Sequence, residues 1–528
     1  MSIKRLKMKR SAILILSLCM FLTQSIYAQK KVEKGVKQIT PELLKQYIDY
    51  LASDSMKGRN TPSPELDRAA DYIAKEFAAL GIKKVNGSYF QNIPFCTKNL
   101  DVKNCLLKIS QGGNIKEFNL KTDYTPFEAT SNTSATGLIV FAGYGITALE
   151  YNYDDYKDID VKGKIVIIMK HEPGEKDAKS PFGGVQETKY SYLNSKMENA
   201  KNHGAVAVLV VNDPLNHIML TPQGYPWPSL SKFLPQYNLP IELCKEETSI
   251  PFAQVGESVI KYIFGSVDSL KNVQRRIDQS YTPQSYSISN STCEIATKLV
   301  IQDIVAKNVV GIIEGKSATL KDEIIVIGGH YDHIGFLAKH KPGEDYIFNG
   351  ADDNASGTAG VMAIAKAFTS MKSNPKRSIL FILFAGEEKG LHGSSYYCST
   401  PLFPLNKTVA MLNLDMISRN GNDSIQIEGD AMNQDLAKII KDENKSVGLK
   451  ITPSSKDLFG RSDHYCFFKK DISVIGFTSG LHKDYHTVRD DPQSINSFKA
   501  SQVSRLVFRT AWVIANEKKH YSIIKKYL

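Results

Sequence analysis

Ser378-Ile379-Leu380-Phe381-Ile382-Leu383-Phe384-Ala385-Gly386-Glu387-Glu388 is the stretch on which the reading of this chain turns. An apolar run of this length, closed by a glycine, reads as a β-strand. Two adjacent carboxylates follow it. Side by side they repel, and burying them without cations is costly. A cation in the same place reverses that cost: one glutamate ligates while its neighbour reaches the water that the metal holds, as general base and later as acid.

Working outward, other ligand-type residues stand beside or beyond their own apolar segments: His330-Tyr331-Asp332, Asp352-Asp353-Asn354, Asp415 and His486. Imidazoles plus carboxylates delivered from successive strand ends match what a pair of zinc ions needs for hydrolysis. His330 supplies a ring nitrogen. Asp332, two residues on, suits a supporting role that orients the ring. Either Asp352 or Asp353 can lend one oxygen to each metal, and helix capping is the ordinary alternative use of such a cluster. Tyr485, next to His486, can donate its hydroxyl to an oxyanion. Asp463-His464 is a further pair, read as pocket structure.

The surrounding rhythm alternates strand and helix. Strands are expected at 308–313, 323–328, 378–385, 409–414 and 473–477, and helices at 356–371, 433–447 and 497–517. This predicts an α/β fold with a central mixed, largely parallel sheet flanked by helices, its ligands gathered beyond the carboxyl ends of the strands. Upstream, Thr40 and Pro41 open an amphipathic helix carrying Leu43, Leu44, Tyr47, Ile48 and Leu51 on one face. A second carries Leu66, Ala69, Ala70, Ile73, Phe77 and Leu80 on its inward side, with Gly81 at its end. Residues 131–290 break the pattern with strands at 138–141, 165–169 and 205–211, a helix at 190–202, and a loop holding Pro222, Pro226, Pro228, Pro235 and Pro240. No metal-ligand cluster is expected in this stretch, which reads as a smaller inserted, β-rich α/β domain that is not catalytic. The expected organisation is a signal peptide over 1–28, the first part of the catalytic domain over 29–130, the insert over 131–290 and the rest of the catalytic domain over 291–528.

Residues 1–28 carry a basic start and the apolar core Ala12–Leu22, with Ala28 as a cleavage point. The core is short for a membrane span, so stable membrane insertion is not expected and the mature protein is placed in the periplasm or outside the cell. Leu18 precedes Cys19 where a lipid-anchoring site takes a small residue, which argues against a lipoprotein. Without the five basic residues of this leader, the formal charge of +11 falls to +6. Short basic pairs without interleaved aromatics argue against nucleic-acid binding. The six remaining cysteines form no Cys-x-x-Cys pair, and buried free thiols are the default expectation, with no pairing readable.

Taken together, Gly329-His330-Tyr331-Asp332, Gly350-Ala351-Asp352-Asp353-Asn354-Ala355-Ser356-Gly357, Gly386-Glu387-Glu388, Leu414-Asp415-Met416 and Tyr485-His486-Thr487 resemble the co-catalytic zinc aminopeptidase and glutamate carboxypeptidase family, peptidase family M28. The likeness extends to Leu51-Ala52-Ser53-Asp54 and Gly58-Arg59, and the insert resembles a protease-associated (PA) domain. The resemblance implies two zinc ions held by His330, Asp353, Glu388, Asp415 and His486, with Asp353 the bridge. It implies Glu387 as base, Asp332 as orienting residue and Tyr485 as oxyanion donor. It also selects Asp353 over Asp352 and Glu388 over Glu387, choices that spacing leaves open. The activity implied is removal of N-terminal residues from peptide substrates. The alternatives are an exopeptidase releasing a C-terminal residue or a dipeptide, a single-zinc glutaminyl cyclase-like enzyme, and a non-catalytic binding relative. Side-chain preference and oligomeric state are not encoded legibly.

Overall fold

The computed structural model describes residues 32–222, 241–244, 249–371, 373–454 and 456–524. The expected leader and Pro226, Pro228, Pro235 and Pro240 lie outside the described residues. The chain divides into two compact units, one formed by the residues up to Phe95 and from Ile304 onward, the other by Cys96–Asp303.

In the first unit the strands are β1 (Phe90–Leu100), β2 (Leu299–Ile313), β3 (Ile324–His330), β4 (Ser378–Phe384), β5 (Thr408–Leu414), β6 (Ser424–Glu428), β7 (Lys450–Pro453) and β8 (Val474–Thr478). They lie in the order β1-β2-β4-β3-β5-β8-β6-β7. β4, β3, β5 and β8 run parallel, while β2 and β6 flank them antiparallel. All residues of β3, β4 and β5 are buried, which explains their largely apolar composition: helices cover a parallel sheet on both faces. Phe381 of β4 meets Phe77 and Phe368 from two different helices.

The expected helices form at Pro41–Leu51, Pro64–Ala79, Gly357–Thr369, Gln434–Asn444 and Ser497–Asn516. Thr40 caps the first by accepting the amide hydrogen of Leu43 at 3.2 Å. At the end of β4, Gly386 takes a φ of +73°, a left-handed turn that glycine makes without strain and that swings Glu387 and Glu388 away from the strand.

The second unit is wider than residues 131–290, because Leu106–Gln111 and Asn114–Glu117 extend the same sheet through Tyr286–Ala296. At its centre Ser134–Phe141, Ile165–Met169, Ala207–Val211 and Phe252–Val255 run parallel. Alternate residues serve opposite faces: Ile165, Ile167 and Met169 join one apolar core, Val166 and Ile168 another. Cys96 and Cys244 form a disulfide, whereas Cys105, Cys293, Cys398 and Cys466 are free; the expectation of buried free thiols holds for the last three, Cys105 being half-buried. No helix among the described residues is long and apolar enough to cross a membrane.

Candidate metal centre

The carboxyl ends of β3, β4 and β5 bring the acidic and imidazole side chains together. His330, the last residue of β3, points Nε2 at Asp353 Oδ1 (3.3 Å) and Asp415 Oδ1 (3.4 Å), with Glu387 Oε2 at 3.9 Å. The other oxygen of Asp353 faces a second group, 3.1 Å from His486 Nε2 and 3.8 Å from His333 Nδ1. Glu388 joins that group, with Oε2 at 3.1 Å from His486 Nε2 and Oε1 accepting from His333 Nδ1 at 2.8 Å. Two sets of metal-ligand geometry result, His333-Asp353-Glu388-His486 and His330-Glu387-Asp415.

Each ligand is held from behind. Asp490 accepts the amide hydrogens of Asp352 and Asp353, fixing the turn that aims Asp353 inward; the Asp353–Asn354 peptide is cis. Asp352 faces away, accepting from Ser356 and from the backbone and hydroxyl of Ser418. The wholly buried Arg59 donates to the carbonyls of Tyr331, Asn349 and Gly350, tying the His330 loop to the Asp353 turn. Asp332 Oδ1 stands 3.6 Å from His330 Nδ1, and that nitrogen instead donates to the backbone carbonyl of Asp332 at 3.2 Å. The Asp332 carboxylate accepts from Thr61 Oγ1 (2.8 Å), Gly386 N (2.9 Å) and Glu387 N (3.3 Å), so it holds the turn that carries the two glutamates.

The electrostatics call for a cation. Burial lifts the Glu387 carboxyl well above its ordinary range, and Glu388 and Asp415 add to this against the opposing His330. Burial opposes charge on His330, yet Glu387 and Asp415 hold its imidazole well above the usual value. His486 is likewise pushed up to about 10, against its burial, by Asp353 and Glu388. Four carboxylates thus draw protons onto the imidazoles they face. His486 Nε2 and Asp415 Oδ1 are buried without a hydrogen-bond partner among the described residues, although acidic or imidazole atoms lie within 3.4 Å of each. Lone pairs converging without hydrogen-bond geometry are the arrangement that a divalent ion completes, so the residues present fit a metal.

Beside the ligands lies a narrow cleft lined by His330, Glu387, Glu428, Leu458, Arg461 and Tyr485, among others. The Tyr485 ring stacks on His486 at 3.8 Å, and its hydroxyl accepts from Arg461 Nη2 at 3.2 Å. Burial raises the Tyr485 phenol, with Asp353 and Glu388 adding to it, so its proton stays in place.

Residues 308–511 match the sequence profile of peptidase family M28, and residues 134–258 match that of the PA domain. The segment 308–511 is thus an M28 peptidase segment. Every residue of the two ligand groups lies inside the M28 segment. Aminopeptidase YwaD of Bacillus subtilis is 24% identical over 406 residues, spanning 74% of this chain and 72% of that protein. Leucine aminopeptidase 2 of Trichophyton equinum is 30% identical over 163 residues, 29% of this chain and 32% of that one. This chain therefore matches about a third of the length of that fungal relative. The solved aminopeptidase from Aneurinibacillus sp. strain AM-1 aligns over 93% of this chain and 97% of that one, at 19% identity and a TM-score of 0.49.

All eight residues singled out from the sequence meet in this M28 site: His330, Asp332, Asp353, Glu387, Glu388, Asp415, Tyr485 and His486. Sequence reasoning missed His333, which bonds Glu388, as well as the backing residues Thr61 and Asp490. His333 lies three residues after His330 in a loop, and that spacing was its only visible signal. Asp463 and His464 are wholly buried behind the cleft and belong to neither ligand group.

Proposed function

We propose that this peptidase is an exported aminopeptidase that holds two zinc ions and removes N-terminal residues from peptides in the periplasm or outside the cell. One ion would be held by His330, Asp353 and Asp415, the other by Asp353, Glu388 and His486. The observation that carries the reading is the Asp353 carboxylate, whose two oxygens face separate imidazoles, His330 at 3.3 Å and His486 at 3.1 Å. The chemistry zinc supplies in such a site is polarisation of the scissile carbonyl and acidification of a water.

The chain's own residues supply the remainder. Glu387, with its proton affinity raised by burial, takes the proton of the attacking water and returns it to the departing amine. Tyr485 accepts from Arg461, which leaves its own hydrogen free to donate to the oxyanion. The peptide's α-ammonium meets an acidic cleft in which Asp415 and Glu428 stand near Glu387, while Met416, Leu458 and Leu481 offer apolar surface to the departing side chain. The leader sequence supports export.

The test is a panel of aminoacyl and peptide substrates, each with a free or acetylated N-terminus, assayed before and after chelation and after zinc is restored. Cleavage of free N-termini only, lost with chelator and regained with zinc, is expected. Turnover of the acetylated peptides alone would overturn the aminopeptidase reading in favour of C-terminal release. A metal analysis returning one zinc at the M28 site would overturn the paired centre.

A further inference from the structure

Contrary to the expectation that residues 131–290 hold no metal-ligand cluster, the unit Cys96–Asp303 contains a second gathering of ligand-type side chains, His171, Glu175, Asp213 and His217, which the sequence hid because its two halves lie on separate loops. Its origin is visible in the strand register. Met169 and Val211 end adjacent parallel strands and pair with one another. His171 and Asp213 each stand two residues beyond that pair, and each is followed four residues later by a partner of the opposite chemistry. The motifs His171-x-x-x-Glu175 and Asp213-x-x-x-His217 therefore face each other crosswise.

The contacts follow the cross. His171 Nδ1 lies 2.6 Å from Asp213 Oδ1, and His217 Nε2 lies 3.0 Å from both oxygens of Glu175. The remaining pairs are close as well, with His171 Nδ1 to Glu175 Oε2 at 3.7 Å and His217 Nε2 to Asp213 Oδ2 at 3.8 Å. The two imidazoles stack at 4.0 Å between centroids. One donor atom from each of the four residues falls within 4.8 Å of all the others.

An ordinary ion-pair network would account for the two short contacts, but it leaves one atom unexplained. Asp213 is wholly buried, and its Oδ2, turned toward His217, has no hydrogen-bond partner among the described residues. A buried acceptor left in this state is destabilising, and more so when it is charged. A cation between the four side chains would satisfy it. Two imidazole nitrogens and two carboxylates make a four-ligand set suited to tetrahedral zinc. Calcium or magnesium would require more oxygen ligands than the cluster offers. Because all four donors come from the protein, the set suits a closed, structural ion.

We propose that His171, Glu175, Asp213 and His217 form a zinc site in the inserted domain, which fastens together the two loops that leave adjacent parallel strands. The site is independent of the proposed peptidase centre and shares no residue with it.

The test uses the full-length protein with zinc as the only added metal. Tightly bound zinc is counted by elemental analysis in the parent, in His217→Gln and in His171→Gln, with circular dichroism to verify folding. Each substitution is repeated in an Asp353→Ala background, so that the count does not depend on an intact peptidase centre. The expected result is a loss of about one zinc per chain in both backgrounds, with aminopeptidase turnover of the single variants within about twofold of the parent. Zinc should also raise the melting temperature of Asp353→Ala, and should cease to do so once His217→Gln is added. If His171→Gln fails to fold, His217→Gln decides, since its side chain is 34% exposed. An unchanged zinc count on losing either histidine overturns the proposal.

Discussion

The carboxylate of Asp332 lies 2.9 Å from the backbone nitrogen of Gly386 and accepts its hydrogen. This one bond joins the loop after β3 to the turn after β4, and so the His330 side of the site to the glutamate side. A second bond from Glu387 N makes the connection bidentate. An asparagine here would put an amide hydrogen against one of those backbone donors. Asp332→Asn is expected to lower kcat about 10–100-fold by misplacing Glu387, with zinc content close to that of the parent. Steady-state kinetics with metal analysis checks this. Loss of zinc at unchanged kcat would instead mean that Asp332 acts through His330.

Glu387 and Glu388 are neighbours in sequence with opposite proton affinities. Burial lifts Glu387 well above the carboxylate range, whereas His333 and His486 hold Glu388 below it despite its burial. The first is suited to carrying a proton and the second to staying ionised. Glu387→Gln keeps the volume and removes the base, so turnover should fall about 10²–10⁴-fold while zinc stays bound. A Glu387→Gln enzyme of near-parental turnover would assign the base elsewhere.

The parallel core was legible because its signal is local: largely apolar runs such as Ser378–Phe384 have few alternatives once helices cover both faces. Most of the ligands were legible because they follow such a run, while Asp353 stood out in an acidic pair ahead of a helix. What stayed hidden depends on contacts distant in sequence. Arg59 closes on carbonyls of Tyr331 and Gly350, 272 and 291 positions away, and a lone arginine gives no sign of this. Asp490 supports Asp353 across 137 positions through backbone amides, which have no identity in the sequence. The pairing of Leu106–Gln111 was hidden for the same reason, since its partner strand lies nearly two hundred residues on. The preference for Asp353 and Glu388 over their neighbours came from family likeness; in the structure Asp352 faces Ser418, and Glu388 faces both His333 and His486.

His333 shows how a residue missed in the sequence can be tested. It is wholly buried, and Nδ1 contacts Glu388 Oε1 at 2.8 Å. Removing it frees Glu388 to rotate away from His486. His333→Ala should weaken one of the two proposed metals about 10–100-fold and leave the other nearly unaffected. Chelator titration of zinc content should then split into two separated steps where the parent shows steps that lie close together. Equal weakening of both ions would mean that His333 supports Asp353 rather than Glu388.

His464 provides a prediction about stability rather than catalysis. Burial holds its imidazole down to about 4, against about 6.5 for a histidine in the unfolded chain. The unfolded chain therefore binds the extra proton first as pH falls. The contribution of a neutral His464 is complete above about pH 6.5 and is lost progressively as pH falls toward 4, to a total of about 3 kcal/mol. Glu428, at 3.5 Å, does not rescue the charged form in that window, since burial pushes its carboxyl up to about 7 and keeps it largely neutral. Its own, opposite pH dependence cancels when parent and His464→Gln are compared at each pH. Urea unfolding between pH 4 and 7 should show the parent losing stability more steeply on acidification, with His464→Gln flatter by about one proton. Parallel curves would mean that His464 is already charged in the folded protein, paired with an ionised Glu428.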